Sequence, residues 1–312
     1  MTSLQRVPAG WPQREHSRTL RVGAIDWHVQ VAGHGPTVLL LHGTGGSAHS
    51  WAGLLSALAP QATVVVPDLP GHGYTTGAAL AALTLPHMAQ MLQALLGALA
   101  LPAPALVAGH SAGAALALRL ALDHAGPGPV PRVLGFAPSL VAPPAAYTRY
   151  LAPLINPLAT STPVARLMAR VAAPSGLIDL LLGSTGSALT PALRAPYKTL
   201  FASREHVRGA VGFMAAAGLP GLNAECAQLH SPVAFVLGAG DRWIPEALLR
   251  RVIARHLPHA DVQAWPGGHL VHEEAPARAA ARVLALLAAE PCPSSRGPAT
   301  PSLPACLSKS SP

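Results

Sequence analysis

The chain has 312 residues, enough for one large domain or two small ones, and with half of them apolar and only 11% charged a sizeable buried core is expected. Its formal net charge of +8 favours acidic partners or an anionic membrane surface, yet Lys and Arg are scattered without interleaved aromatics, which argues against nucleic acid. The three cysteines, Cys226, Cys292 and Cys306, form no CxxC pair, which argues against a disulfide framework or a zinc site and suits a reducing, cytoplasmic setting.

Residues 1–18 contain no continuous apolar segment and are expected to be an N-terminal extension rather than a signal peptide. TLRVGAIDWHVQVAG (19–33) alternates apolar and polar residues around Gly23, which predicts an antiparallel hairpin. TVLLLHG (37–43) is a short apolar run ending in glycine, as buried parallel strands are. A helix over 48–59, a strand over 62–68, a helix over 85–100, a strand over 105–110, a helix over 112–124 and a strand over 132–136 follow. The apolar stretch near 92–118 could pass for a membrane span, but Pro102, Pro104, Gly109 and Gly113 cut it into shorter pieces.

Residues 138–228 are rich in Leu, Pro and Ala, with helical segments and no clear strand. Alternation resumes with a strand over 232–241, a helix over 245–257, a strand over 261–269 and a helix over 275–289. This order predicts a mostly parallel sheet with helices on both faces. The core is expected in 19–137 and 229–290, with 138–228 inserted as a helical cap. The Pro/Ser-rich stretch 291–312 cannot build a core and is expected to be disordered.

GHSAG (109–113) sits where a strand passes into a helix. A serine displayed on so sharp a turn needs small neighbours, and Gly109, Gly113 and Ala114 provide them. The Ala112 amide would then lie at a helix N-terminus, aimed at a developing oxyanion. A serine hydroxyl needs a base, and the base an orienting acid. Asp241 follows the strand ending near Leu237, and His269 follows the next. Both should emerge at the carboxyl edge of the sheet beside Ser111. After the strand at 132–136 come Ala137, Pro138 and Ser139, so no carboxylate competes there. His272 is a rival base, but with Glu273 and Glu274 it reads as surface leading into a helix.

The loop HGTGGSAHSW should supply the second oxyanion donor, Thr44 N–H. His42 and Gly43 from this loop, with His110 inside the elbow, are candidates for the substrate-binding wall, although packing is the simpler role for His110. Asp68 and His72 in DLPGHG read as turn formers. The histidines show no metal-binding spacing, so no metal is expected.

HGTGG, DLPGHG, GHSAG, GAGD and GGH followed by HEEAP together resemble the α/β-hydrolase superfamily over about residues 19–290. The resemblance implies a serine-hydrolase triad of Ser111, Asp241 and His269, no cofactor, and an active site beneath the cap. WHVQVAG, LLLHGTGGSAHSW, GHSAGAALALRLALD, LLLGSTGSALTP and VGFMAAAGLPGL are similar, more narrowly, to the magnesium chelatase accessory family of bacteriochlorophyll synthesis. That resemblance implies chelatase subunits as partners and a small acyl or tetrapyrrole ligand. Seven cationic side chains in the cap (Arg149, Arg166, Arg170, Arg194, Lys198, Arg204 and Arg208) face three acidic ones, Asp179, Glu205 and Glu225. Arg149, Arg166 and Arg170 are thus candidates to bind ligand carboxylates, or the cap to meet an anionic membrane. The expected activity is esterase-like acyl hydrolysis. The alternatives are a non-catalytic porphyrin- or chelatase-binding protein, and a carbon–carbon bond hydrolase or cofactor-free perhydrolase.

Overall fold

Ser17–Val22 (β1) and Ile25–Ala32 (β2) pair antiparallel, with Gly23 turning the chain at φ 58°. The computed structural model describes residues 7–124, 130–142, 156–158, 160–172, 176–216, 218–229 and 231–289. The six further strands are Thr37–Leu41 (β3), Thr63–Pro67 (β4), Leu106–His110 (β5), Arg132–Phe136 (β6), Val233–Gly238 (β7) and Asp261–Trp265 (β8). They complete one sheet in the order β1-β2-β4-β3-β5-β6-β7-β8, parallel from β4 to β8.

The apolar runs of the inner strands have a direct cause. Successive side chains point to opposite faces, and both faces are covered. Leu39, Val65, Val107, Val133 and Phe235 enter one apolar cluster, with Leu92 of α2 (Leu85–Leu99), Leu116 of α3 (Ala112–Leu122) and Ile253 of α9 (Glu246–His256). Their neighbours Leu40, Val64, Ala108, Leu134 and Val236 enter a second cluster. There they meet Leu55 of α1 (Ala52–Leu58) and Val283 of α11 (Pro276–Ala288). The two edge strands, β1 and β8, carry the exposed residues of the sheet, Arg18 and Arg21 on β1 and Asp261 and Ala264 on β8. The helix expected over 48–59 begins as a 3-10 turn, Ala48–Trp51, that buries Trp51.

Between β6 and β7 lie α4 (Thr162–Ala172), α5 (Leu177–Ser184), α6 (Pro191–Phe201), α7 (Arg204–Ala216) and α8 (Leu219–Glu225). The cap is less separate than its sequence suggests. Phe213, Leu219, Leu222, Cys226 and Leu229 belong to the same apolar cluster as α3, and Asn223 Nδ2 donates to Leu140 O at 2.8 Å. The N-terminal residues also pack: Val7 and Trp11 are buried against Leu200 and Tyr74. Arg149 and the stretch 291–312 lie outside the described residues.

A side chain at Gly113 has nowhere to go, because a Cβ there would lie 2.2 Å from Leu41 O and 2.5 Å from His42 O. At Gly97, exposed near the end of α2, a Cβ would meet nothing within 4 Å. Gly113→Ala should therefore destabilise the fold by about 1–3 kcal/mol, whereas Gly97→Ala should stabilise it by roughly 0.5–1 kcal/mol. Urea denaturation of the two variants checks both signs.

Candidate active site

The β5–α3 junction holds Ser111 at φ 51° and ψ −117°, a conformation that costs a non-glycine residue about 1–3 kcal/mol. The strain is offset by neighbouring bonds. Ser111 N–H donates to Phe136 O, and Ser111 O accepts from the Ala114 and Ser139 amides, each at 3.0 Å. Close approach of β5 to α3 requires glycine as well. A Cβ at Gly109 would lie 2.2 Å from Gly113 O.

Asp241 and His269 reach the same rim from the loops after β7 and β8. Asp241 Oδ1 accepts the Trp243 and Ile244 amides at 2.8 and 3.0 Å, which aims Oδ2 at His269 Nδ1, 2.7 Å away. With its proton held on Nδ1 by the carboxylate, the imidazole presents Nε2 as an acceptor. That nitrogen lies 3.0 Å from Ser111 Oγ. The side chains of His269 and Asp241 are each only 3% exposed, so their interaction is poorly screened. The arrangement can make the serine hydroxyl a nucleophile.

His272 does not compete, and it is not on the surface as its sequence context suggests. The short helix α10 (Val271–Glu274) turns inward and buries His272 completely, 4.4 Å from both the Trp51 and His110 rings. Burial, and then His269, lower its pKa to about 3. Glu273 is buried too, and burial raises its carboxyl to about 8 while Tyr197 Oη donates to Oε1 at 2.5 Å. Glu274 accepts from the Gly268 and Ala188 amides at 2.7 and 2.8 Å. It thereby ties the His269 loop to the cap.

The glycine-rich loop after β3 runs against the elbow: a Cβ at Gly43 would lie 3.0 Å from Ser111 Cβ. Among the described residues, neither the Thr44 nor the Ala112 amide donates to a backbone acceptor. His42 is not a wall residue. It is fully buried, its Nδ1–H donating to Gly43 O at 2.8 Å and its Nε2 accepting from Leu69 N–H at 2.9 Å. His110 borders the cavity but packs: its Nε2–H donates to His269 O at 2.9 Å, and burial holds its pKa well below 6.5.

Asp68 is more than a turn former. Buried completely, its carboxylate accepts from the Ala48 and Tyr74 amides, both at 2.7 Å, and from His28 Nδ1 at 2.8 Å. Burial alone would raise its pKa, but His28 and the amide donors outweigh that and hold it low. His72 packs between the His42 and His206 rings. His206 of α7 pins the glycine-rich loop from the cap side. Its Nε2–H donates to Gly45 O at 3.1 Å, and its Nδ1 accepts from Gly73 N–H at 3.0 Å. The legible signal for Asp68 was its isolation: no other charged side chain appears before Arg119, and a lone carboxylate in apolar sequence tends to be buried and partnered. No local pattern marked His206.

A cavity of about 890 Å3 opens over Ser111. Gly43, Thr44 and Ala112 line its floor, and Leu182, Phe201 and Met214 of the cap line its roof. Arg166 and Arg170, expected at the ligand, are exposed on α4 and do not line it; among the described residues, Arg242 does. The amide of Arg242 and that of His269 both donate to Thr185 O in the cap, at 3.3 and 3.1 Å, and Ser187 Oγ accepts from Leu270 N–H at 2.8 Å. The cap therefore grips the Asp241 and His269 loops directly.

Residues 36–276 match a family model described as alpha/beta hydrolase fold. The magnesium-chelatase 30 kDa subunit of Rhodobacter capsulatus is 40% identical over 271 residues, 86% of this chain and 93% of that protein. The pimeloyl-[acyl-carrier protein] methyl ester esterase of Xanthomonas campestris pv. campestris is 31% identical, with 83% of this chain and 99% of the esterase covered. A solved hydrolase from Pseudomonas aeruginosa PA01 superposes with a TM-score of 0.70 at 20% identity, over 90% of this chain and all of that one, and so speaks to fold alone.

The buried acid makes stability depend on pH in a stated direction. Unfolded Glu273 loses its proton near 4.5, whereas the folded side chain keeps it to about 8. Between those values rising pH favours the unfolded chain. Glu273→Gln keeps the acceptor for Tyr197 and removes that dependence. Its urea midpoint should match wild type near about pH 4 and exceed it increasingly toward about pH 8, whereas a gap that stays constant with pH would contradict the assignment.

Proposed function

The chain belongs to the α/β-hydrolase fold family, and from that membership we propose that it is a serine hydrolase cleaving an ester or related acyl compound. The observation that carries the reading is the unbroken relay from Ser111 Oγ through His269 to Asp241, at 3.0 and 2.7 Å. Ser111 Oγ attacks the substrate carbonyl as its proton passes to His269 Nε2. Asp241 holds the imidazole in register and stabilises its positive charge. The Ala112 and Thr44 amides receive the oxyanion, and one such donor contributes about 10²–10³-fold in rate. His269 then returns the proton to the leaving alcohol, and water clears the acyl group by the same route in reverse. None of these steps calls on a cofactor.

The cavity favours a bulky ligand, since its lining is mostly apolar and its volume is about 890 Å3. The relative named as a magnesium-chelatase 30 kDa subunit supports a place beside magnesium chelatase in bacteriochlorophyll synthesis, with chelatase subunits as partners and a tetrapyrrole or another pathway acyl compound as ligand. The same relationship supports a second reading, in which the protein binds porphyrin or the chelatase without catalysis. Against it stands the alignment of all three side chains, which binding alone does not need.

Hydrolysis of p-nitrophenyl esters discriminates between the two. Ser111→Ala should lower kcat by at least about 10³-fold. Asp241→Asn, which leaves the imidazole in the wrong tautomer, should lower it by about 10⁴-fold. Equal residual rates in wild type and Ser111→Ala would remove the hydrolase reading. In cells, normal pigment with Ser111→Ala but none with the deletion would favour the binding role.

A further inference from the structure

Helix α4 is built inside out for a surface helix. Its small residues Ala165 and Ala169 are buried against Val207 of α7, while Leu167 and Met168 point outward, 61% and 44% exposed. An amphipathic helix on a water-exposed surface ordinarily shows the reverse. The neighbourhood repeats the pattern: Leu158, Leu180 on α5 and Met214 on α7 are exposed on the cap as well. Outside the cap, the described residues expose Val130, Leu248 and Trp243 as large apolar side chains. Two of the exposed residues, Met214 and Trp243, also line the cavity over Ser111.

We propose that this face of the cap docks on the surface of an anionic phospholipid bilayer, with the cavity mouth turned toward the lipid. Charge selects this occupant. The sequence of α4, TPVARLMARVA, holds no acid, and its polar residues are Thr162 and two cations, Arg166 and Arg170, both exposed. Long apolar side chains flanked by arginines, one turn apart, match acyl chains and phosphate headgroups at a single depth. Trp243 at the rim suits the same interface. The chain as a whole carries +8, which draws it to a negative surface. Among the described residues no helix is long and apolar enough to cross a membrane. An apolar ligand dissolved in the bilayer could then enter the cavity without passing through water. This inference goes beyond the hydrolase reading, because docking needs neither Ser111 nor turnover.

Flotation of the full chain with vesicles tests it. Wild type and Ser111→Ala should both float with phosphatidylglycerol–phosphatidylcholine vesicles and stay behind with phosphatidylcholine alone. Arg166→Gln with Arg170→Gln should weaken binding by at least about ten-fold, and Leu167→Glu with Met168→Glu should abolish it. The other four tryptophans are buried, so a blue shift of emission on vesicles should vanish in Trp243→Phe. Circular dichroism of each variant confirms that it is folded. Failure of wild type to bind the anionic vesicles overturns the proposal, as does equal binding by folded charge and apolar double variants. Chelatase subunits captured by this face without vesicle binding also overturn it, in favour of a protein partner.

Discussion

One backbone constraint organises this molecule. Ser111 can occupy its left-handed turn only because β5 and α3 approach each other through glycine, and because Gly113 lies against the Leu41 and His42 carbonyls at the end of β3. That packing fixes where the hydroxyl points and starts α3 with a free amide. It also brings the glycine-rich loop to the same point, since that loop leaves β3 where Gly113 touches it. The strain is local, but its supports are not. Phe136 and Ser139, after β6, supply two of the bonds that hold the turn. A hydroxyl so displayed is a property of three adjacent strands rather than of five residues.

The cap is bonded to the loops that carry Asp241 and His269. Thr185 O ties together the amides of His269 and Arg242, and His206 reaches from α7 to the glycine-rich loop and to Gly73. Close backbone contact reinforces these bonds: a Cβ at Gly268 would lie 2.3 Å from Ser187 N, and one at Gly209 would lie 1.8 Å from Gly71 O. A cap seated in this way fixes the cavity roof relative to Ser111. Its outer surface keeps Leu167, Met168 and Met214 exposed.

Much of this was legible before the structure. Buried strands announce themselves as apolar runs because both faces of the sheet are covered, so the order of elements and the inserted helices could be read directly. The meeting of Ser111, Asp241 and His269 at one rim was legible because each follows its own strand of a parallel sheet. The rest depended on three-dimensional packing. Whether α10 turned His272 and Glu273 inward could not be read from HLVHEE, because charged residues ahead of a helix usually face water. Nor could sequence show that the arginines of α4 face away from the cavity, or that the last helix of the cap joins the main core. Asp68 lay in between: its residue type fitted a turn, and only its charge-free surroundings hinted at a buried hub.

On the proposed serine-hydrolase reading, the relay activates the Ser111 hydroxyl. Reacting the folded protein with a fluorophosphonate and mapping the adduct by mass spectrometry tests this most directly. The account predicts one phosphonyl group per chain, on Ser111, and none on Ser111→Ala. No adduct on folded protein, or an adduct on a different residue, would contradict it.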